Sequence, residues 1–284
     1  MSLALVLVLL VVGSVVFHFL SPWWWTPIAS NWGYIDRTIV ITFWITGVAF
    51  VAIIIFVAYC VFRFRHQDGR EAHYEPENKK LEWWLTIITT LGVAGLLAPG
   101  LIVWQDFVTV PADATEIEVL GQQWQWNFRL PGKDGVLGQS APDLISPDNP
   151  FGLNQNDPKA QDDILIEAAD LHLLLGKPVK VLLRSKDVVH DFYVPEFRAK
   201  MDMIPGMVTF YWFTPTRVGT FDILCFELCG TGHYTMRGTV VVEDKDHYQA
   251  WLQKQSTFKQ TLVETKDRIA SHAALPRSAR SSRS

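Results

Sequence analysis

The 284 residues predict a membrane-anchored protein, with bilayer-crossing helices followed by an all-β domain of Greek-key type. Three apolar runs within the first 104 residues are long enough to span a hydrocarbon core. From Val108 onward the pattern changes to short, alternating, β-branched runs separated by turn residues. Late in that second region, Cys225, Glu227, Cys229, His233 and Met236 fall within twelve residues, a cluster of soft donors on one loop.

The first run, residues 3–20, is not preceded by Lys or Arg and is not closed by a small-x-small cleavage signal, so it is expected as a retained membrane helix. In SPWWWTPIASNWGYIDR, Pro22 and Pro27 break a helix, and Trp23, Trp24, Trp25, Trp32 and Tyr34 suit a membrane interface. Residues 1–37 therefore read as an N-terminal membrane helix with an interfacial connector. Thr38 to Phe62 and Leu81 to Trp104 form a transmembrane hairpin within residues 38–106. Its loop carries Arg63, Arg65, Arg70, Lys79 and Lys80 against Arg37 alone in the connector, which places the loop in the cytoplasm and residues 107–252 on the outer face.

Eight strands are expected: Thr115 to Leu120, Trp124 to Leu130, Ile164 to Ala168, Val179 to Arg184, Asp191 to Val194, Val208 to Phe213, Thr220 to Leu224 and Thr239 to Val242. Pro131 to Asp163, rich in Gly, Pro, Asn and Asp, reads as a long surface excursion. Asp246 to Lys254 reads as a terminal helix, and residues 253–284 as a basic tail.

The net charge of −4 hides an asymmetry, because residues 106–252 hold 21 acidic and 12 basic side chains, a net of −9. Such a domain disfavours nucleic acid and favours a cationic protein partner by long-range steering. Three cysteines are too few for a disulfide scaffold; Cys60 lies in an apolar helix and reads as a packing residue.

The loop pattern C-x3-C-x3-H-x2-M lacks a second imidazole, and His190 in SKDVVHDFYVP is the obvious donor. Two His, one Cys and an axial Met make a blue-copper site; a second, bridging thiolate calls for two copper ions. A structural zinc site would be satisfied by two Cys and two His, yet has no use for the thioether. A Cys225 to Cys229 disulfide is chemically allowed outside the cytoplasm, but leaves His190, His233 and Met236 without a purpose.

The hairpin, then GQQWQWNF, SKDVVHDFYVP, DMIPG and CFELCGTGHYTM, resemble subunit II of cytochrome c oxidase, the copper-A subunit of the haem-copper oxidases, over residues 38–252. The resemblance implies a cupredoxin-like domain in a multi-pass protein of a bacterial-type inner membrane, with that domain on the periplasmic side. It implies a binuclear copper-A centre bridged by Cys225 and Cys229, with His190 and Met236 completing one copper and His233 and the Glu227 carbonyl the other. It assigns the Glu227 side chain to a Mg ion shared with subunit I, and matches Asp202 to an acid near the same boundary. Trp124 and Trp126 match the aromatic motif through which electrons enter; by strand alternation both rings should share one face. Gln125 stands where the family usually has Tyr, and Thr89 where a Pro often follows in the second hairpin helix. Glu82 matches the Glu at the entrance of a proton pathway, although an acid in a helix's first turn also suits the macrodipole.

The implied partners are subunit I and other oxidase subunits, the lipid bilayer, and cytochrome c or another electron-donor protein. Acids such as Asp143, Asp148, Asp157, Asp162 and Asp163 are candidates for the donor's docking patch. No C-x2-C-H is present, so the resemblance implies a donor haem on a separate protein. His18, His66, His73, His172, His247 and His272 lack ligand-like neighbours. Two alternatives stay open: the copper-A subunit of a nitric oxide reductase, which would share every ligand, and a non-redox subunit II of quinol-oxidase type, which would lack them.

Overall fold

The computed structural model describes residues 2–21, 26–71, 74–168 and 170–265. Trp23, Trp24, Trp25, His73, His272 and the end of the basic tail lie outside the described residues. The chain divides into two units, one of residues 1–27 and 33–106, the other of residues 28–32 and 107–284.

The first unit holds three helices long and apolar enough to cross a membrane: α1 (Ser2–Leu20), α2 (Gly33–Arg63) and α3 (Lys79–Val108). Without water to satisfy backbone groups, a spanning segment must close its hydrogen bonds internally, and these sequences do so as helices. The hydroxyls of Thr38, Thr42 and Thr46 donate to carbonyls one turn earlier, at 2.7–2.9 Å, so α2 exposes few polar atoms. Helices α2 and α3 both outrun their apolar stretches. A hydropathy run marks the lipid-buried part only, whereas α2 continues back through Asp36 to Gly33. The Asn78 side chain starts α3 by accepting from the Leu81 N–H at 3.1 Å.

The second unit is a sandwich of two five-stranded sheets among the described residues. One sheet runs β3 (Ile164–Glu167), β2 (Gln125–Leu130), β1 (Thr115–Gln122), β5 (Val179–Ser185), β8 (Thr209–Phe213). The other runs β4 (Leu171–Leu174), β10 (Arg237–Glu243), β9 (Gly219–Cys225), β6 (His190–Tyr193), β7 (Lys200–Met203). Parallel pairing of β1 with β5 and of β4 with β10 makes non-neighbours in sequence neighbours in space, the cupredoxin-like arrangement expected. Alternating burial along β5 turns Val179, Val181 and Leu183 inward. The eight expected strands all form. Two further strands, β4 and β7, carry little sequence signal, because each has four residues and lies at a sheet edge, where LHLL and KMDM show too little alternation to register.

Three expectations are corrected. Trp32 is not an interfacial anchor: it has no exposed surface, and its Nε1 donates to the Trp212 carbonyl at 2.9 Å. Residues 28–32 are strapped to the β domain, with Ser30 bridging Pro215, the Ser30 Oγ donating to the Phe197 carbonyl and the Asn31 N–H to the Thr214 carbonyl. A Trp marks burial as readily as an interface, and only the long-range pairing separates the two.

The excursion 131–163 is not a loose surface loop. Phe151, Leu153 and Ala160 pack with Leu120 and Phe258 in a second small core. Beneath it the buried Arg129 guanidinium pairs with Glu118 at 2.8 Å and Asp163 at 2.6 Å and donates to the Gly138 carbonyl. Asp163 is therefore a buried counter-ion and no docking acid. Asp157 caps α4 (Pro158–Gln161) through the Lys159 N–H.

The chain beyond the terminal helix α5 (Lys245–Leu252) also stays attached: Thr257 bridges Ile164, and Phe258 is 1% exposed. The folded domain thus runs past Leu252, because one aromatic in an otherwise polar stretch finds the second core.

Candidate metal centre

Four elements deliver the donor residues. His190 begins β6, Cys225 ends β9, Cys229 lies in the following loop, and His233 opens a single 3-10 turn, His233–Thr235, that places Met236. The β6–β9 pairing sets Phe192 opposite Cys225, which brings two segments 35 residues apart to one end of the sandwich.

The Sγ atoms of Cys225 and Cys229 stand 3.6 Å apart, unbonded. The Nδ1 of His190 is 3.8 Å from the Cys225 sulfur and that of His233 3.5 Å from the Cys229 sulfur. Met236 Sδ lies 3.8 Å from Cys229 Sγ, and the Glu227 carbonyl oxygen 3.2 Å from Cys225 Sγ. Ligating atoms of His190, Cys225 and Cys229 all lie within 4.8 Å of one another. Two thiols, two ring nitrogens, a thioether and a carbonyl thus converge on one small volume, a donor set that suits copper and leaves no group idle. Zinc in a closed tetrahedral site would strand the thioether and the carbonyl.

Burial opposes ionisation of Cys225, but hydrogen bonds from His190 and from the Asp191 and Glu227 backbones outweigh it and lower its pKa. Burial and the neighbouring Cys225 together raise that of Cys229.

Around the donors lies a supporting shell that the sequence expectations do not include. Asp187 Oδ1 lies 2.8 Å from His190 Nε2, fixing the ring with Nδ1 toward the sulfurs. The other carboxylate oxygen accepts from the Gln123 N–H at 2.7 Å. Burial works against the Asp187 charge, yet the Gln123 and Val188 N–H groups and His190 hold its carboxyl below the usual range. Its spacing three residues before His190 was the available signal. Next in the chain after His190, Asp191 is buried, which pushes it up to about 6, while its Lys200 partner at 2.8 Å pulls the other way.

The two tryptophans separate. Trp124 is not on β2; it sits in the two-residue turn between β1 and β2, 40% exposed, with Nε1 donating to the Cys229 carbonyl at 3.3 Å. Gln123 Nε2 donates to the same carbonyl at 2.8 Å. Trp126 is 2% exposed and stands edge-on to Phe192 and His190, so it walls the site from behind. A shared face fails because alternation applies inside a strand, and the hairpin turn resets it before Trp126.

The Glu227 side chain is exposed on the loop. Asp202 lies on β7, 3.8 Å from Lys200 Nζ. Glu82 is exposed in the first turn of α3. His172 pairs with Glu243 at 2.9 Å and stacks on Trp251, pinning α5 to the sheet edge.

The family model of the cytochrome c oxidase subunit II periplasmic domain matches residues 115–244. The alternative cytochrome c oxidase subunit 2 of Bradyrhizobium diazoefficiens is 68% identical over 258 residues, 91% of this chain and 93% of that protein. Cytochrome c oxidase subunit 2 of Cereibacter sphaeroides is 26% identical over 81% of this chain and 77% of its own. Among solved structures, the periplasmic domain of subunit II of cytochrome oxidase (CoxB) of Bradyrhizobium japonicum aligns with 26% identity and a TM-score of 0.38, covering 51% of this chain and 95% of that one.

Proposed function

The chain belongs to the cytochrome c oxidase subunit II family, and from that premise we propose that electrons for dioxygen reduction enter the oxidase through the loop Cys225–Met236, at a binuclear copper-A centre. The subunit belongs to an oxidoreductase complex, and its metal site is a copper site. The observation that carries the binuclear reading is the spacing of the two unbonded sulfurs, 3.6 Å apart, each with its own imidazole within 3.8 Å. When bound, a copper pair supplies a one-electron store spread over two ions.

The residues of the chain do the rest. Cys225 and Cys229 would hold both coppers through their thiolates, with His190 and Met236 as further donors to one and His233 and the Glu227 carbonyl to the other. A rigid β framework fixes these donors before and after electron transfer, which keeps reorganisation small. Trp124 offers a donor protein an exposed indole joined to the Cys229 carbonyl, and Trp126 keeps water from the back of His190. The Glu227 side chain, free of the donor cluster, is assigned to a Mg ion at the boundary with subunit I, and Asp202 to the same boundary.

The partners are the other subunits of the oxidase and the lipid bilayer. The external donor is assigned as a cytochrome c-type protein, drawn by the net charge of −9 over residues 106–252. The basic α2–α3 loop supports a reading in which the copper domain faces the periplasmic side of a bacterial-type inner membrane and Glu82 lies at the cytoplasmic boundary, as the entrance of a proton pathway.

Metal analysis of the purified complex, joined to electron paramagnetic resonance, tests this reading. The expected result is about two coppers per chain in this subunit with a mixed-valence signal; zinc, or no metal, would overturn it. Turnover with nitric oxide and none with oxygen would move the subunit to a nitric oxide reductase.

A further inference from the structure

Alternation along β1 turns Ile117, Val119 and Gly121 to one face, and the side chains of the first two fill the sandwich core. At the third position there is no side chain, and the imidazole of His190 takes the space. A Cβ built on Gly121 would stand 3.2 Å from His190 Cδ2, 3.3 Å from His190 Cγ and 3.3 Å from Met203 Cε. The Gly121 backbone is ordinary strand outside the left-handed region, so the close approach, and not chain conformation, is what the missing side chain serves.

Neither side of this contact can retreat. Gly121 is paired with Trp126 of β2 on one side and with Ser185 of β5 on the other, and its carbonyl accepts from the Lys186 N–H at 3.0 Å. The ring is held as firmly. Asp187 Oδ1 lies 2.8 Å from its Nε2, Trp126 stands edge-on with ring centroids 6.3 Å apart, and Nδ1 is 3.8 Å from Cys225 Sγ. Met203, opposite His190 in the β6–β7 ladder, closes the remaining side with a flexible end that can yield. A methyl added at Gly121 would therefore displace the ring by a few tenths of an ångström, whatever Met203 does.

We propose that Gly121 is a positioning residue for the copper pair: its Cα is the stop against which the His190 ring rests, and it sets how His190 meets one copper relative to how His233 meets the other. This rests on the copper reading above. Two coppers share one electron evenly only while their donors hold them in matched fields, and a displaced ring upsets the match on one side. An electron confined to one ion costs more reorganisation when it moves. Gly121 touches no reacting atom; it acts through His190 alone.

The test is electron paramagnetic resonance of the assembled oxidase, wild type beside Gly121→Ala and the double variant Gly121→Ala with Met203→Ala. The double variant gives the new methyl room on the Met203 side and leaves the His190 contact in place. The expected result in both is full copper, unequal hyperfine coupling to the two copper nuclei where the wild type shows nearly equal coupling, and reduction by the donor slowed roughly fivefold. A residue that only packs would cost stability without touching that coupling. Full copper with wild-type coupling in the single variant would overturn the proposal. Recovery of wild-type coupling in the double variant would trace the effect to Met203 and overturn it as well. If only the double variant assembles, its coupling alone decides. Loss of copper or of assembly in both would make Gly121 a packing residue of the sandwich and overturn it too. Absence of paired copper in the wild type would instead sink the copper reading, which keeps the two failures distinct.

Discussion

The indole of Trp124 lies over Gly232 so closely that a Cβ added to the glycine would stand 2.7 Å from ring atoms Cε2 and Cε3. Gly230, with φ +117°, leaves the same room beside the Gln123 amide and the ring. These glycines let the exposed aromatic rest on the backbone of the metal loop.

Gly232→Ala should lift Trp124 off that loop and slow electron uptake from the donor by roughly tenfold, a modest loss on the scale that small misplacements produce. The copper content should stay near the wild-type value. Stopped-flow reduction of the complex by its donor measures the first, metal analysis the second; an unchanged rate would detach Trp124 from the electron's path.

Asp187→Ala removes the group that orients His190. Loss of such a partner typically weakens metal binding by about 10–100-fold. Competition of the purified protein against a copper chelator reads this directly. Asp187→Asn should fall between the two, since it keeps a hydrogen-bonding group in place but loses the charge.

The start of α5 gives a pH dependence. Asp244 caps the helix through the Asp246 and His247 N–H groups and also binds the His247 ring at 2.8 Å. That hydrogen bond raises His247 above its ordinary 6.5, and the His247 N–H and ring lower Asp244 below 3.8. A raised histidine contributes stability fully below its unfolded value and loses it as pH rises through its folded value. The Asp244 contribution is present above 3.8 and is lost as pH falls through its own lowered value. Thermal unfolding of the intact chain at about pH 6 and about pH 8 should show the loss on the alkaline side, and Asp244→Asn should flatten it.

Phe258→Ala empties the second core beneath the excursion, where the ring packs with Leu120, Phe151, Leu153 and Ala160. A cost of about 3–5 kcal/mol is expected for a buried Phe. Denaturant unfolding of the intact protein checks it; a change near zero would mean that residues past Leu252 do not belong to the folded domain.

The sequence by itself determined the elements whose signal is local. Three apolar runs declared the helices, since the bilayer imposes length and composition on each span separately. Strand alternation declared eight of ten strands, and the spacing Cys225, Cys229, His233, Met236 declared the chemistry, because those donors share one loop. Even His190 was legible, as the imidazole the loop lacked.

Tertiary structure alone decided what depends on distant pairing. Trp32 meets Trp212 across 180 residues and leaves the membrane interface for the β domain. Arg129 turns Asp163 from a surface acid into a buried counter-ion, and Phe258 recruits a tail into a core. Trp124 and Trp126, two residues apart, end in different surroundings because a turn falls between them. Burial is a property of what packs against a residue, and a local window of sequence does not contain its neighbours.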